Sequence, residues 1–330
     1  MGESNMILAA DIGGTKTVLG VFSQEFRPKK PILEAKFPSQ EYASLEDIIH
    51  EFLKDEDIRL TGASIGVAGP VVGDRAQVTN LPWVVESQSL SRALNGTPVQ
   101  LLNDLSAIAH AIPFLEADDI ATINAAEASQ GGAKAVIAPG TGLGEGFLVW
   151  EGTRYRAFPS EGGHADFAPN NKLQDELLVY LRQRYDHVSC ERVCSGKGIP
   201  DLYAFFKDRG RLSEPEWLRR ELSEAKDKTP VIVNSAIEQG IEISMAATDL
   251  FISILGSEAG NMTLKVLATG GVYLAGGIPP RILPQLKSGA FMESFIHKGR
   301  FSDFLKNVPV HVILNPNVGL MGAACHGLDL

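Results

Sequence analysis

Residues Ile7 to Lys16 read Ile-Leu-Ala-Ala-Asp-Ile-Gly-Gly-Thr-Lys, an apolar run that ends in an aspartate, two glycines and a threonine. A second apolar run, residues 18–22, follows, so the pattern predicts a strand, a tight turn and a second strand. Paired glycines let the backbone approach a ligand and turn its N–H groups toward an anion. Thr15 adds a hydroxyl donor, and Asp11 places a carboxylate where a hydrated Mg²⁺ can lie beside phosphates. An ordinary β-hairpin fits the same pattern, so this stretch alone leaves both interpretations open.

Two further glycine turns follow apolar runs later in the chain. Residues Val136 to Trp150 read Val-Ile-Ala-Pro-Gly-Thr-Gly-Leu-Gly-Glu-Gly-Phe-Leu-Val-Trp, which again predicts a strand, a turn and a strand. The third turn contains Gly276 and Gly277 and follows the apolar run at residues 272–275. Together the three turns indicate two related halves that face one nucleotide, which favours phosphate binding over ordinary hairpins.

Length and composition limit the class of protein. A chain of 330 residues has room for about two domains with full hydrophobic cores. No apolar run reaches the length of a bilayer span. A net charge of −10 argues against nucleic acid or an anionic membrane as a partner, because both require a basic face. Three cysteines cannot form a disulfide framework, so we expect a reducing, cytoplasmic location.

Strand and helix signals alternate in the first third of the chain. Ser44 is placed to cap a helix, and strand patterns are found at residues 63–68 and 99–102. This alternation predicts a mainly parallel sheet covered by helices.

The remainder of the chain is predicted to be largely helical between residues 172 and 267, with strands returning after it. Breaks in the helical region are expected at Gly196, Gly198, Pro215 and Pro230. A final small-residue helix is expected over residues 318–328. No linker rich in proline or serine separates the parts, which favours domains joined by continuous elements around a hinged cleft.

Asp104 is the first candidate for chemistry. It follows the strand pattern at residues 99–102 and precedes a helical pattern, where an isolated aspartate is usually an N-cap. However, ligands of open α/β sheets gather at the carboxyl ends of strands. In a phosphate-binding protein a carboxylate there can accept the proton of an attacking hydroxyl. Both roles are compatible.

A loop with the sequence Pro159-Ser-Glu-Gly-Gly-His-Ala-Asp-Phe167 is the second candidate. Its glycines suit a backbone that bends to aim carboxylates and an imidazole at a small ligand, although a solvated loop has the same composition. His187, Cys190 and Cys194 are interpreted as packing and capping residues rather than metal ligands. On spacing alone, Glu191 is interpreted as a surface acid.

Several common catalytic motifs do not occur in the sequence. The chain has no Gly-x-x-x-x-Gly-Lys-Ser/Thr motif, which excludes a P-loop NTPase. It has no Gly-x-Gly-x-x-Gly or Gly-x-Ser-x-Gly motif, which argues against a classical dinucleotide fold and an α/β-hydrolase.

Taken together, these segments resemble the bacterial glucokinase family, within the actin/hexokinase/Hsp70 superfamily of two-domain kinases. The most specific blocks are Glu161-Gly-Gly-His-Ala-Asp-Phe167 and His187-Val-Ser-Cys-Glu-Arg192, whereas the glycine turns belong to the wider superfamily. The other matching segments are residues 10–15, 79–80 before Trp83, 102–104, 140–144, 275–278, 299–301 and 319–322. The resemblance therefore extends over nearly the whole chain.

The resemblance implies an α/β, two-domain actin/hexokinase-like (ribonuclease H-like) fold, with duplicated mixed sheets flanked by helices around a hinged cleft. The small domain is expected to comprise residues 1–105 and 315–330 and to carry the first phosphate hairpin and the catalytic aspartate. The large domain is expected to comprise residues 106–314, with the second phosphate hairpin, the sugar loop and the adenosine site. The implied reaction is ATP-dependent phosphorylation of glucose at the 6-hydroxyl, giving glucose 6-phosphate and ADP and feeding glycolysis.

The resemblance also implies roles for individual residues. Asp104 is the expected general base toward the sugar 6-hydroxyl, and Asp11 is expected to hold Mg²⁺ through water. The expected sugar-binding residues are Asn80, Asn103, Asp104, Glu161, His164 and Glu191, so the surface interpretation of Glu191 is overruled. The expected ATP-binding residues are Ala10, Asp11, Ile12, Gly13, Gly14, Thr15, Thr141, Gly142, Gly276 and Gly277.

Two residues depart from the family pattern, and alternatives follow from shared motifs. Lys16 stands where many glucokinases of this group carry Asn and is more like the repressor/open-reading-frame/kinase family, whose zinc-binding cysteine cluster this chain lacks. Pro139 is less usual than a small residue and affects the stiffness of the second hairpin.

A kinase for fructose or mannose would share every motif. A sugar-sensing regulator is disfavoured by the acidic charge, and a chaperone-like ATPase by the loop at residues 161–167. The expected form is a cytoplasmic homodimer that binds glucose and ATP, and neither nucleic acid nor membrane.

Overall fold

The structure is a computed structural model that describes residues 5–23, 28 and 30–328. Contacts within the chain divide it into two compact units. The first unit comprises Met1–Glu116, Thr153–Ala157 and Asn315–Leu330, and the second comprises Ala117–Gly152 and Phe158–Leu314.

The first unit is built on a five-stranded sheet with the order β3-β2-β1-β4-β8, beside a small sheet β5-β6-β7. Strand β1 pairs antiparallel with β2 and parallel with β4, and β4 pairs parallel with β8, so the sheet is mixed rather than mainly parallel. The elements are β1 (Met6–Ile12), β2 (Lys16–Ser23), β3 (Leu33–Pro38), α1 (Leu45–Leu53), β4 (Gly62–Val67), β5 (Val71–Val72), β6 (Arg75–Gln77), β7 (Val84–Glu86), α2 (Ser87–Ala93), β8 (Val99–Asn103), α3 (Asp104–Ala111) and α13 (Val318–Gly327).

Alternate side chains of β1 enter two different cores, which explains why the strand reads as a continuous apolar run. Leu8 and Ile12 belong to the cluster that contains the apolar face of α1. Ile7 and Ala9 belong to the cluster that contains side chains of α13. A strand with helices on both faces buries every residue, as in parallel α/β sheets. The predicted cap of α1 is confirmed, because Ser44 Oγ accepts a hydrogen bond from the N–H of Asp47 at 3.2 Å.

The first unit extends further along the chain than residue 105, where the small domain was expected to end. Helix α3 belongs to it because Gly322 of α13 lies directly against the backbone of Ala107, so closely that a Cβ would overlap the carbonyl oxygen of Ala107. The small residues of α13 thus allow the close helix packing that the sequence predicts.

The second unit contains a six-stranded mixed sheet with the order β12-β11-β10-β13-β14-β9, whose first strand also contains residues of the first unit. Its strands are β9 (Ile120–Asn124), β10 (Lys134–Pro139), β11 (Leu143–Trp150), β12 (Tyr155–Ser160), β13 (Val272–Leu274) and β14 (Val310–Ile313). Its helices are α4 (Lys172–Leu181), α5 (Cys190–Val193), α6 (Ile199–Asp208), α7 (Glu216–Glu224), α8 (Lys228–Ile237), α9 (Glu242–Val266), α10 (Leu283–Leu286), α11 (Ala290–Ile296) and α12 (Ser302–Lys306).

Helix α9 is the central helix of the second unit. Gly256 and Gly260 let it approach α11 so closely that a Cβ on either would meet the carbonyl oxygen of Phe291 or Phe295. No single helix in the described ranges is long and apolar enough to cross a membrane; α8 and α9 reach that length and composition only as a pair, bent by 104°.

The three glycine turns are confirmed as β1–β2, β10–β11 and the end of β13. Among the predicted helix breaks, Gly198 and Pro215 precede α6 and α7. The break predicted at Pro230 is wrong, because this proline lies in the first turn of α8, where its missing N–H has no intrahelical partner to lose.

Candidate functional site

In the first unit, three parallel strands end at the same edge of the sheet. The register aligns Ile12 of β1 with Val67 of β4, and Val67 with Asn103 of β8. Asp11 and Asp104 therefore lie beside the carboxyl ends of these strands, the edge at which ligands of α/β sheets gather.

The turn between β1 and β2, which we call the first hairpin, is held by hydrogen bonds to one serine. Ser39 Oγ donates to the carbonyl oxygen of Gly13 at 2.8 Å, and Ser39 N–H donates to that of Thr15 at 3.0 Å. A Cβ on Gly14 would lie 2.8 Å from the carbonyl oxygen of Thr79 and 3.1 Å from Cβ of Asn80. Only glycine allows this approach, which places the exposed Asn80, in a left-handed conformation, next to the hairpin.

Asp11 lies in an electrostatically unfavourable place for a carboxylate. Burial, followed by the charge of Asp104, raises the pKa of Asp11 to about 6, and Lys16 counteracts this only in part. Gly319, at the start of α13, approaches Asp11 so closely that a Cβ would lie 2.7 Å from Oδ2. Two nearby carboxylates whose negative charge Lys16 offsets only in part suit a site where a cation binds together with an anionic ligand.

Asp104 is the first residue of α3, and Asn103 is its N-cap. The Leu105 N–H donates to Oδ1 of Asn103 and to Oδ1 of Asp104, both at 2.9 Å. Asn103 Nδ2 donates to the carbonyl oxygen of Gly69 at 3.1 Å, which fixes the amide. Burial raises the pKa of Asp104, and the Leu105 N–H lowers it in part. The capping role that was open for Asp104 is therefore filled by its neighbour.

In the second unit, the turn between β10 and β11 forms the second hairpin. Gly140 N–H donates to the carbonyl oxygen of Gly142 at 2.9 Å, and Gly196 N–H donates to that of Gly140 at 2.7 Å. Oε2 of Glu191 accepts the Leu143 N–H at 3.0 Å, and a Cβ on Gly142 would overlap this carboxylate. Glu191 is thus half-buried against the second hairpin, which the surface interpretation of its spacing did not anticipate.

The loop at residues 159–167, which we call the sugar loop after the role that the resemblance implies, lies beside the same hairpin. Its glycines form a short 3-10 turn, Gly162–His164, in which a Cβ on Gly163 would overlap the carbonyl oxygen of Leu143. Nε2 of His164 lies 3.9 Å from Oε2 of Glu161, and these two side chains are 63% and 89% exposed, so both are accessible to a ligand.

The sugar loop is also fixed to the segment that carries Glu191. Asp166 Oδ1 lies 2.8 Å from Nε2 of His187. Phe167 N–H donates to the Val188 carbonyl oxygen at 3.0 Å, and Cys190 N–H donates to the carbonyl oxygen of Ala165 at 2.9 Å. The two backbone hydrogen bonds therefore hold the loop against this segment. Cys190 and Cys194 are buried, as the packing interpretation predicts, whereas the His187 side chain is 56% exposed and pairs with Asp166 at the surface.

A cavity of about 650 Å³ in the second unit, which we call the basic pocket, brings Thr141 and Gly277 together. A volume of this size fits a small organic ligand. Gly276 lies behind it with a φ of 84°, and a Cβ on it would lie 2.6 Å from the carbonyl oxygen of Pro139. Its basic lining residues are Lys197, Lys226, Lys228 and Arg281. The sequence interpretation missed all four; only Lys197 had a local signal, a lysine between two glycines.

Each unit thus brings together its own share of the predicted residues. The first unit contains Asn80, Asn103 and Asp104 together with the hairpin residues Ala10, Asp11, Ile12, Gly13, Gly14 and Thr15. The second contains Glu161, His164 and Glu191 together with Thr141, Gly142, Gly276 and Gly277. In the described ranges no group of three His, Cys, Asp or Glu side chains is arranged to hold a metal ion.

Comparison with known proteins gives one consistent result. The family model for glucokinase matches residues 8–329. The glucokinase of Trichormus variabilis is 39% identical over 334 residues, covering 97% of this chain and 98% of that protein. The crystal structure of a glucokinase from an Antarctic psychrotroph superposes with a TM-score of 0.86 at 31% identity, covering 99% of this chain and all of that one. A ROK family glucokinase from Streptomyces griseus, solved with glucose and AMPPNP, has a TM-score of 0.64 at 20% identity over 99% of this chain and 100% of that one, a likeness of fold alone.

Proposed function

The chain belongs to the glucokinase family and is a glucose-phosphorylating enzyme, and we propose that Asp104 is the general base of the transfer from ATP to the glucose 6-hydroxyl. One observation carries this proposal. Asp104 lies at the carboxyl edge of the sheet next to Asp11 and the first hairpin, while Asn103 fills the capping role. The Leu105 N–H therefore orients the Asp104 carboxylate, and α3 does not depend on that carboxylate as its N-cap.

The reaction needs positioning more than it needs a strong base. Phosphoryl transfer passes through a loose transition state, so most acceleration comes from alignment and charge stabilisation. Asp104 accepts the hydroxyl proton as the phosphoryl group is transferred, and its pKa, raised by burial, improves it as an acceptor near neutral pH.

The phosphates of ATP are proposed to lie against the two hairpins, at Ala10 to Thr15 and at Thr141-Gly142. The glycines of both hairpins support this, because glycine lets the backbone approach an anionic ligand and turn its N–H groups toward it. The basic pocket, which Gly277 lines and Gly276 adjoins in the chain, is proposed to hold the adenosine. Mg²⁺ would be held through water by Asp11 and would neutralise phosphate charge.

Glucose is proposed to be bound by Asn80, Asn103, Glu161, His164 and Glu191 in addition to Asp104. The exposed carboxylate of Glu161 and imidazole of His164 offer acceptors and donors for sugar hydroxyls. Glu191 has one oxygen engaged by the Leu143 N–H, which orients the other. A sugar that lacks a matching hydroxyl leaves a buried polar group unpaired, at a cost of about 1–3 kcal/mol for each contact.

The cellular setting is proposed on less specific grounds. The buried, unpaired Cys190, Cys194 and Cys325 support a reducing cytoplasm. A role in glycolysis follows from the proposed product, glucose 6-phosphate. The homodimer rests on the family resemblance.

A coupled assay of ADP formation across several hexoses tests the proposed function. We expect Mg²⁺-dependent turnover with glucose, and lower kcat/KM with fructose and mannose. Preference for another hexose would support the alternative of a different hexose kinase. ADP formation that is independent of any sugar would contradict the proposal and favour the chaperone-like alternative.

A further inference from the structure

Glu145 is a buried acid that the proposed mechanism does not use. It lies in β11, two residues after Leu143, and only 1% of its surface is exposed. Neither of its carboxyl oxygens has a hydrogen-bond partner within the described part of the chain. Burial of an unpaired acid is costly, so its presence in a strand of the second hairpin requires an explanation.

The carboxyl group of Glu145 lies against the sugar loop. A Cβ on Gly162 would lie 3.0 Å from Cδ of Glu145 and would overlap Oε2. In the same way, a Cβ on Gly163 would overlap the carbonyl oxygen of Leu143. Leu143 and Glu145 are two residues apart in β11, so they lie on the same side of the strand. Through them the strand contacts two consecutive glycines of the loop, Gly163 and Gly162. Glu161 precedes those glycines and His164 follows them.

A second buried carboxylate, Glu258 of α9, lies close enough to Glu145 to disfavour its ionisation. Glu258 accepts hydrogen bonds from Asn261 Nδ2 at 3.0 Å, Lys265 Nζ at 3.3 Å and Cys190 Sγ at 3.4 Å, so its charge is already compensated. Burial, followed by the charge of Glu258, raises the pKa of Glu145 to about 7, against the effect of Lys265. The titratable groups that face this pair are Lys265 on α9, Cys190 and Cys194 on and just after α5, and Lys298 after α11.

We propose that Glu145 is a positioning residue for glucose: as the neutral acid it supports Gly162 and places Glu161 and His164, and its ionisation displaces the loop. The ionised group would face the carboxylate of Glu258 without a donor of its own. It would therefore recruit water or N–H groups into the space that Gly162 occupies. This inference rests on the proposed function and adds a pH control to its sugar site.

The pH dependence of glucose binding tests this role. Wild-type KM for glucose should be constant below pH ~7 and should rise about tenfold for each pH unit above it. The rise should end at a plateau, where KM is that of the protein with Glu145 ionised. Glu145→Gln, which keeps the shape and cannot ionise, should keep the low-pH KM throughout, and KM for ATP should not follow this pattern. The exposed Glu238→Gln is the matched control and should follow the wild type. A wild-type KM that does not change with pH, or a Glu145→Gln curve that superposes on the wild type, would overturn the inference.

A rescue experiment tests the contact itself. Gly162→Ala should weaken glucose binding, measured by calorimetry, about tenfold, because the added methyl overlaps the carboxyl group of Glu145. Adding Glu145→Ala to Gly162→Ala removes the overlapping atoms and should restore most of the affinity. Gly163→Ala overlaps a backbone oxygen instead, so Glu145→Ala should not rescue it.

The outcomes separate this inference from the proposed function. Normal glucose binding by Gly162→Ala, or equal rescue of both glycine variants, would overturn the role of Glu145 while leaving glucose phosphorylation intact. A wild-type protein without turnover of glucose would instead refute the proposed function.

Discussion

Asp104→Asn separates catalysis from stability. The variant removes the proposed base while keeping an oxygen that can accept the Leu105 N–H, and Asn103 accepts the same N–H at 2.9 Å. Loss of a first-turn charge costs about 0.3–1 kcal/mol, and this is offset because burial disfavours the carboxylate. We therefore expect Tm to change by no more than about 2–4 °C, whereas kcat should fall about 10²–10⁴-fold.

The assay is a coupled measurement of ADP release at saturating ATP, with glucose affinity measured separately by calorimetry. Glucose should still bind, because the sugar loop and Glu191 are unchanged. Asp175→Asn, an exposed acid in the first turn of α4, is the matched control and should keep wild-type kcat. If Asp104→Asn kept kcat within about tenfold of the wild type, Asp104 would be a helix-terminus residue and not the base.

Three further predictions follow. Gly142→Ala should raise KM for both substrates about tenfold or more in steady-state kinetics, because its methyl group overlaps Glu191 and breaks the bond to the Leu143 N–H; unchanged KM values would contradict this. Since the pKa of Asp11 is about 6, the carboxylate that would bind the cation becomes protonated as pH decreases through 6, and kcat/KM for ATP should fall there. Asp11→Asn should not show this decrease with pH. A wild-type kcat/KM that does not change with pH would argue against Asp11 as the cation ligand. Burial, then His326, lowers the pKa of His110 to about 4, so stability that is present above pH 6.5 should be lost between pH 6.5 and 4, by up to about 3 kcal/mol in urea titrations; His110→Gln should reduce this slope.

The fold could be predicted where local chemistry and global packing agree. Glycine pairs that interrupt apolar runs located the hairpins at residues 12–16 and 139–143, because only a tight turn joins two buried strands there. The two-unit α/β fold of the actin/hexokinase type is confirmed by the family match and the structural likeness. Pro230 was misinterpreted because proline is a breaker inside a helix but is tolerated in its first turn, and the N-cap of α8, Asp227, was not recognised in the sequence.

The site was predictable only in part, because its residues come from distant segments. Neighbouring Asn103 and Asp104 are both good caps, and the sequence could not tell which one is the N-cap of α3. The basic residues of the pocket, such as Lys197 and Arg281, are brought together by tertiary packing. Glu145 occupies a strand position where a polar residue normally faces solvent, so its burial against Gly162 could not be read from the pattern.

A crystal structure with glucose and a non-hydrolysable ATP analogue tests the central claim most directly. It should place a carboxyl oxygen of Asp104 about 2.6–3.2 Å from the glucose 6-hydroxyl, with that hydroxyl in line with the γ-phosphate. A complex in which another side chain contacts the 6-hydroxyl, and Asp104 lies beyond hydrogen-bond distance, would contradict it.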